Sequence, residues 1–264
     1  MTNAFEKQSR EVAPIWSQPV VPAIVESRSV LHVVSTRDYA SAGTVLNDLP
    51  DILGARTTNP PVGGVLKRVM DLVIAVTALV LSAPVMIVIG LLIRITAGGP
   101  AIFSHSRVGF GGKPFKCYKF RSMVANSDEV LKTYLDDNSH ARKEWEETQK
   151  IRNDPRVTFF GRLLRKSSLD ELPQLINILR GDMSCVGPRP IVEEELKRYG
   201  DHQVEYLGTR PGLTGLWQVS GRNSMDYDNR VALDSQYVRN WSIWLDVVIL
   251  LRTVVAVMRV DRAS

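Results

Sequence analysis

The sequence is poor in the residues that most often bind zinc or form disulfides. Its 264 residues include 2 cysteines, Cys117 and Cys185, which lie far apart and form no CxxC pair. Only 4 histidines occur, and none of them belongs to an HxH or HExxH pattern. The two cysteines therefore predict free thiols in a reducing compartment, and the chain does not indicate zinc chemistry.

The common nucleotide-binding motifs are also missing. There is no Walker motif and no GxGxxG after a predicted strand, so the usual ATP-binding and dinucleotide-binding folds are unsupported. The net charge of +5 favours anionic partners such as nucleotides, phosphates or an anionic membrane surface. A nucleic-acid binder is disfavoured, because the basic residues are dispersed and accompany apolar, membrane-seeking segments.

Residues 1–62 differ from the rest of the chain. They hold several prolines among serines, threonines and charged residues, with short apolar runs such as 30–34. This composition predicts a poorly ordered tail, with one short strand near 30–35. We divide the chain into this tail, a membrane segment at 63–96 and a cytoplasmic catalytic domain at 97–264.

Residues 72–93 form a nearly unbroken apolar run, about as long as a bilayer-spanning helix requires. Ser82 and Pro84 interrupt it near its midpoint, and a proline inside a helix removes one hydrogen bond and kinks the chain. Basic residues flank both ends, which places both on the cytoplasmic side by the positive-inside rule. We therefore predict a re-entrant helix–break–helix hairpin, the alternative being a kinked span with the N-terminus outside the cell.

The remaining segments predict an α+β domain that is mostly helical, with a small β-hairpin. Residues 107–123 read as the hairpin, with Gly111 and Gly112 in its turn. The highly charged residues 124–150 predict solvated helices. Residues 241–258 predict an interfacial helix in which Trp241 and Trp244 lie at the membrane surface.

The acidic pair Asp170-Glu171 follows a cationic stretch that contains Arg162, Arg165 and Lys166. One interpretation is structural: Ser167 or Ser168 caps a helix whose first turn carries the acids. The other is chemical. Adjacent carboxylates repel each other, so the pair requires nearby cations or a metal, and it suits a phosphorylated substrate whose Mg²⁺ it helps to bind.

Other cations are candidates for binding phosphate. Lys119 and Arg121 stand two positions apart in a predicted strand and would share a face. Arg189 lies between two prolines, so its backbone is nearly fixed and its guanidinium loses little freedom on binding. Arg210 belongs to a glycine-rich loop at 206–222, which also contains Trp217, Gln218 and Arg222.

Taken together, these segments resemble the monotopic phosphoglycosyl transferases, the bacterial sugar transferases that act on polyprenyl phosphate. The resemblance covers about residues 64–260. It rests on the Ser82/Pro84 break and on the ordered motifs KFRSM (119–123), NDPR (153–156), LDELPQL (169–175), GPRP (187–190), RPGLTGLW (210–217) and SGR (220–222).

The resemblance implies a mechanism at the acidic pair. Asp170 is then the nucleophile that attacks the sugar-bearing phosphoryl group of a UDP-sugar, releases UMP and forms a covalent phosphosugar intermediate. Undecaprenyl phosphate resolves that intermediate. Glu171 assists with Mg²⁺ and with deprotonation of the acceptor, while Asp170 is also assigned as a metal ligand. Arg165 and Arg189 bind phosphate, with Lys119, Arg121 and Arg210 as further candidates.

The same resemblance implies the setting of the reaction. The donor is UDP-galactose or UDP-glucose, the product initiates exopolysaccharide or other surface glycans, and the enzyme lies on the cytoplasmic face of the bacterial inner membrane among membrane lipids. A homodimer is left open. Two alternatives stay open as well: a non-catalytic membrane scaffold of a polysaccharide assembly complex, and a metal-dependent phosphatase or hydrolase that uses the same acids.

Overall fold

The computed structural model describes residues 60–96, 99–148, 151, 154–221 and 225–258. The helices are α1 (Gly64–Thr96), α2 (Ser127–Asp137), α3 (Ser139–Thr148), α4 (Phe159–Ser167), α5 (Gln174–Arg180), α6 (Glu193–Leu196), α7 (Gln203–Leu207), α8 (Leu216–Ser220), α9 (Tyr227–Arg239) and α10 (Ile243–Met258). The strands are β1 (Ile102–Val108), β2 (Pro114–Phe120), β3 (Ser184–Val186) and β4 (Gly212–Thr214). The predicted α+β class is confirmed. The strand predicted near 30–35 lies outside the described residues.

The helix α1 is continuous, so the predicted break within the membrane segment needs correction. Helical structure runs through Ser82 and Pro84 over all 33 residues. Pro84 has no N–H to donate to Val80, but the hydrogen bonds of neighbouring turns carry a long helix past one missing bond. The Ser82 hydroxyl lies 3.5 Å from the carbonyl oxygen of Leu79, so it does not replace the bond that Val80 loses.

Both halves of α1 pack on the folded domain with one face only. Ala75 belongs to a core cluster with Ile178 of α5, while Ile89 and Ile93 pack near Leu164 of α4. The opposite face exposes large apolar side chains, among them Val73, Val80, Leu81, Ile87, Val88 and Leu91. Within the described residues α1 is the one helix long and apolar enough to cross a membrane, and 11% of its most apolar window is buried. A long apolar surface outside the core is typical of a helix that contacts lipid.

The hairpin of β1 and β2 confirms the sequence prediction and extends it. The strands pair antiparallel from Ile102 opposite Phe120 to Val108 opposite Pro114. Gly111 and Gly112 in the connecting turn have φ values of 64° and 76°, which favour glycine. The hairpin therefore begins before residue 107, where the sequence placed its start.

A buried asparagine attaches the hairpin to α5. The side-chain oxygen of Asn177 accepts a hydrogen bond from the backbone N–H of Tyr118 at 3.0 Å. Its amide nitrogen donates to the backbone oxygen of Lys116 at 2.8 Å. Asn177 thus satisfies the free edge of β2 as a neighbouring strand would, and it fixes β2 beside the segment that carries the acidic pair.

The second sheet is a short parallel pair, in which Ser184 is opposite Gly212 and Val186 is opposite Thr214. On the other edge of β3, the Asp71 carboxylate accepts hydrogen bonds from the Cys185 backbone N–H at 2.9 Å and from the Ser184 hydroxyl at 3.0 Å. A side chain of α1 therefore supports the strand that leads into the 187–190 segment.

The predicted C-terminal helix is present as α10, and it is attached to α1 through a buried ion pair. Lys67 and Asp246 are 2.5 Å apart, with side-chain exposures of 4% and 0%. The indole of Trp241 donates to Asp246 at 3.1 Å and packs, partly buried, against the core. Trp244, by contrast, is 75% exposed.

Candidate active site

Helix α4 lies against the end of β2 because glycine occupies its first turn. Thr158 caps the helix by accepting a hydrogen bond from the Gly161 N–H at 2.9 Å. A Cβ atom at Gly161 would lie 2.0 Å from the backbone oxygen of Ser122. Only glycine permits this approach, which brings the cations of α4 next to the end of the hairpin.

The acids follow α4 through a sharp reversal. Ser168 has a φ of 57°, and it is the one described residue other than glycine with a positive φ. Its carbonyl accepts the Glu171 N–H at 3.2 Å, which closes a 3-10 turn over Leu169–Glu171. The predicted serine cap is wrong in detail, because the Ser168 side chain forms no cap and the Ser167 hydroxyl donates back to Leu163 at 2.8 Å. Such a strained residue is often found beside a functional site.

Asp170 is a buried acid in this turn, with 9% of its surface exposed. Burial raises the pKa of its carboxyl above the usual range, and the negative charge of Glu171 adds to the effect. Lys119 and Arg165 act in the opposite direction. Burial and the neighbouring acid outweigh the two cations, so the charged form of Asp170 is less favoured than that of a carboxyl in water. Acids with a perturbed pKa of this kind are often found at functional sites.

Glu171 has a different environment from its neighbour. Its Oε1 atom lies 2.6 Å from the Nζ atom of Lys119, and both side chains are about one-third exposed (35% and 32%). Lys119 reaches it from β2, which Asn177 holds beside the acids. The two carboxylates therefore differ, one buried and one paired at the surface, as unequal chemical roles require.

Arg165 has charged neighbours both in the acidic pair and in the turn at Asp154. Its Nε atom donates to the Ser122 hydroxyl at 2.8 Å. Burial lowers the pKa of its guanidinium, while the charges of Asp170 and Asp154 oppose this shift. Asp154 is itself paired with Arg156 at 2.6 Å. The positive charge of Arg165 therefore interacts with two acids, Asp154 and the buried Asp170.

Arg189 is the second predicted phosphate ligand that lies near the acids. It is exposed to solvent, yet the surrounding protein and the charge of Arg230 lower the pKa of its guanidinium. Glu171 and Arg107 are among its charged neighbours. A guanidinium that is surrounded by protein yet accessible to solvent is suited to bind an anion.

The other predicted ligands lie elsewhere. The Nε atom of Arg121 donates to the backbone oxygen of Pro100 at 2.9 Å. Arg210 donates to the Gly181 carbonyl at 2.9 Å, at the C-terminal end of α5, where Arg68 donates to Ile178 at 2.6 Å. The acids precede the opposite end of α5. Both side chains thus donate to backbone carbonyls, and neither is among the charged groups that shift the pKa of Asp170. Arg222 lies outside the described residues.

Sequence comparison identifies the family to which this site belongs. Residues 62–260 match the family described as bacterial sugar transferase, which is well over half of the chain. The chain belongs to the bacterial sugar transferase family. Three relatives of known name are similar to this sugar transferase.

The undecaprenyl-phosphate galactose phosphotransferase of Salmonella typhimurium is 57% identical over 199 residues, which are 75% of this chain and 41% of that protein. The exopolysaccharide production protein ExoY of Rhizobium meliloti is 52% identical over 197 residues, 75% of this chain and 87% of that protein. The UDP-glucose:undecaprenyl-phosphate glucose-1-phosphate transferase of Escherichia coli is 39% identical over 218 residues, 79% of this chain and 44% of that protein. This sugar transferase therefore spans less than half the length of two of these relatives.

The donor set of this sugar transferase is compatible with magnesium but not with a closed protein cage. Within the described residues, no group of three or more histidine, cysteine or acidic side chains could hold a metal ion. Magnesium commonly uses one or two carboxylates and completes its shell with water and substrate phosphates. Asp170, with Glu171 beside it, supplies that minimum.

Sequence reasoning missed two arginines of this site. Arg107 of β1 and Arg230 of α9 are both charged neighbours of Arg189. Neither belongs to a motif that marks it, and both lie far from Arg189 in the sequence. The aromatic residues Trp217 and Tyr227 beside Arg230 are the one local signal, since arginine among aromatic side chains often forms cation–π contacts.

Proposed function

We propose that the protein transfers a hexose-1-phosphate from a UDP-sugar, UDP-galactose or UDP-glucose, to undecaprenyl phosphate and releases UMP, which initiates exopolysaccharide or other surface glycan synthesis. The observation that carries the proposal is the buried Asp170 with Lys119, Arg165 and Arg189 close to it or to its partner Glu171. The activities for which the relatives from Salmonella typhimurium and Escherichia coli are named support the same reaction.

In the proposed reaction, a carboxylate oxygen of Asp170 attacks the phosphorus atom that carries the sugar. The bond from that phosphorus to the bridging oxygen breaks, and its electron pair leaves with UMP. The product is an aspartyl phosphosugar. A phosphate oxygen of undecaprenyl phosphate then attacks the same phosphorus and displaces the Asp170 carboxylate, while Glu171 accepts a proton from an acceptor that arrives protonated.

Charge neutralisation is the main requirement of both steps, because an anionic nucleophile approaches an anionic diphosphate. Arg165 and Arg189 supply positive charge, and Lys119 pairs with Glu171 at 2.6 Å. Mg²⁺, when bound at Asp170 with help from Glu171, would withdraw charge from the diphosphate. The raised pKa of Asp170 favours its nucleophilicity once the carboxyl is ionised, because a buried carboxylate is poorly solvated.

We propose that α1 enters and leaves the cytoplasmic leaflet of the inner membrane as a bent, re-entrant helix. Two observations support this topology. The first turns of α1 are tied to α10 through Lys67 and Asp246, and its last turns pack on Leu164 beside the site, so both ends belong to one folded body. The exposed apolar faces of α1 and α10 complete a lipid-facing surface.

The deciding experiment measures UMP release by the purified full chain with undecaprenyl phosphate, Mg²⁺ and a panel of UDP-sugars. We expect release with UDP-galactose or UDP-glucose, transfer of the sugar phosphate to lipid, and loss of both in Asp170→Asn. Retained transfer in Asp170→Asn contradicts the covalent mechanism. Free sugar phosphate without a lipid product would indicate a hydrolase, and no turnover with any donor would indicate a scaffold.

A further inference from the structure

Arg189 stands at one end of an alternating row of arginine and aromatic side chains. Its guanidinium carbon lies 5.8 Å from the centre of the Trp217 ring, and that of Arg230 lies 5.0 Å from the same ring. Arg230 is also 5.1 Å from the ring of Tyr227, on which Arg198 stacks at 3.7 Å. We call these five residues the arginine ladder. It places Arg230 one ring away from the active-site Arg189.

Arg230 has hydrogen-bond donors without acceptors. Its Nε and Nη2 atoms are shielded from solvent and have no hydrogen-bond partner within the described residues. The indole Nε1 of Trp217, a side chain only 7% exposed, is likewise without an acceptor there. Desolvated donors of this kind are costly unless an acceptor meets them, and for a charged group the cost is larger.

The nearby acids compensate this charge only in part. Asp234 lies one turn further along α9, but burial raises its pKa to about 7, so much of it is protonated near neutral pH. The same carboxyl accepts the Tyr199 hydroxyl at 2.9 Å. Glu171 is held by Lys119, and Glu195 lies 3.8 Å from Arg107. The inner part of the ladder therefore has excess positive charge.

We propose that Arg230, together with Arg189, binds the phosphate group of the donor that departs with the nucleotide. This inference rests on the proposed function, since it assigns the second phosphate of the same UDP-sugar. In the proposed reaction Asp170 attacks the sugar-bearing phosphate, and Arg189 has both Glu171 and Arg230 as charged neighbours. The rings of Trp217 and Tyr227 shield Arg230 in the free protein, so binding includes a turn of its guanidinium toward Arg189.

The test compares binding of UMP and of uridine, which differ by that phosphate. Both ligands are titrated calorimetrically into the full chain in nanodiscs, as wild type, Arg230→Met and Arg230→Lys. The ratio of the uridine Kd to the UMP Kd measures what the phosphate contributes. We expect this ratio to fall about 10- to 100-fold in Arg230→Met, as for the loss of a charge-assisted hydrogen bond. Arg230→Lys retains the positive charge but lacks the two-pronged guanidinium. Its Kd ratio should therefore lie between those of the wild type and Arg230→Met.

Arg239 provides the matched control, because it lies on the same helix in an exposed pair with Glu205. Arg239→Met should leave the ratio unchanged. Thermal unfolding of each variant checks that it is folded. Equal weakening of UMP and uridine in Arg230→Met would overturn the proposal in favour of a structural role through Trp217, and unchanged affinities for both ligands would overturn it as well.

A failure of the proposed function gives a different result. In that case the wild type neither releases UMP from any UDP-sugar nor binds UMP. Inorganic pyrophosphate is then titrated into wild type and Arg230→Met. Weaker pyrophosphate binding to the variant would support the assignment of Arg230 as an anion-binding residue. Equal binding to both proteins would contradict that assignment.

Discussion

At the residue scale, burial of Asp170 opposes its ionisation while the chemistry requires the carboxylate. An acid whose pKa is higher in the folded than in the unfolded protein binds its proton more tightly when folded. Stability then falls as pH rises from the usual carboxyl pKa through the raised one, and the cost persists above that window. The site thus holds a charge that the fold disfavours, as catalytic groups often do.

This linkage predicts that Asp170→Asn is more stable than the wild type although it is inactive. Above the titration window the variant carries no buried charge, so its midpoint of thermal unfolding should be higher, and the difference should shrink as pH falls below the window. Asp136→Asn removes an acid from an exposed pair with Arg142 and serves as the control, with an expected effect within about 0.5 kcal/mol. A lower midpoint for Asp170→Asn at high pH would contradict the prediction.

The neighbours of Asp170 predict opposite shifts in the pH dependence of the reaction. Lys119 lowers the pKa of Asp170 and Glu171 raises it. Because activity requires the ionised nucleophile, it is lost as pH falls through this pKa. The acidic limb of kcat/KM should therefore move to higher pH in Lys119→Met and to lower pH in Glu171→Gln.

The measured quantity is the pH at which kcat/KM falls on the acidic side of the profile. The maximal rate is not used for this comparison, because both substitutions also reduce it. Removing a positioned acid–base group commonly costs about 10²- to 10⁴-fold. Arg142→Gln at the exposed pair with Asp136 should move neither quantity. Shifts in the same direction in both variants would show that a group other than Asp170 controls the limb.

At the element scale, the site depends on how closely α4 approaches the end of β2. Gly161→Ala would place a methyl group 2.0 Å from the Ser122 backbone oxygen, so α4 must move and take the acidic pair with it. We expect a loss of about 1–3 kcal/mol in stability, together with reduced kcat. Gly90→Ala is the matched control, because its new Cβ meets only the Ala101 side chain at 3.9 Å. Equal effects of the two substitutions on UMP release would show that the close contact between α4 and the Ser122 backbone does not position the site.

The elements that the sequence predicted well carry their signals locally. The hairpin is marked by Gly111-Gly112, whose positive φ values need glycine, and the charged residues after it predicted α2 and α3. The acidic pair was identified because charge of both signs is concentrated in a few consecutive residues. These features depend on neighbours in the chain, which a sequence displays directly.

The elements that were mispredicted depend on distant contacts. Helix α1 continues through Pro84 while both of its halves pack on the folded domain, and no local rule reports such packing. Arg210 was assigned to phosphate for its glycine-rich loop, but tertiary packing gives it the Gly181 carbonyl at the end of α5. Arg230 of α9 becomes a charged neighbour of Arg189 only through tertiary packing, because the two residues are far apart in the sequence.

At the scale of the whole molecule, an exposed apolar surface and the cations around the acidic pair lie on one folded body. A straight helix of the length of α1 would extend about 50 Å, more than the roughly 30 Å hydrocarbon core of a bilayer. Yet the first turns of α1 bind Asp246 and its last turns pack on Leu164. A helix that crossed the bilayer would place one of these contacts on the far side, away from the rest of the fold.

This arrangement predicts that both ends of α1 face the cytoplasm. Single cysteines added at the N-terminus and at the exposed Ser104 of β1 should both react with a membrane-impermeant maleimide only after the inner membrane is opened. The native Cys117 and Cys185 are buried, and burial raises the pKa of each thiol, so background labelling should be low. Labelling of the N-terminal cysteine from the periplasm, with Ser104→Cys still protected, would establish a spanning helix. In that event the N-terminal turns would have to leave Asp246, and a buried acid without its lysine would cost about 3–5 kcal/mol.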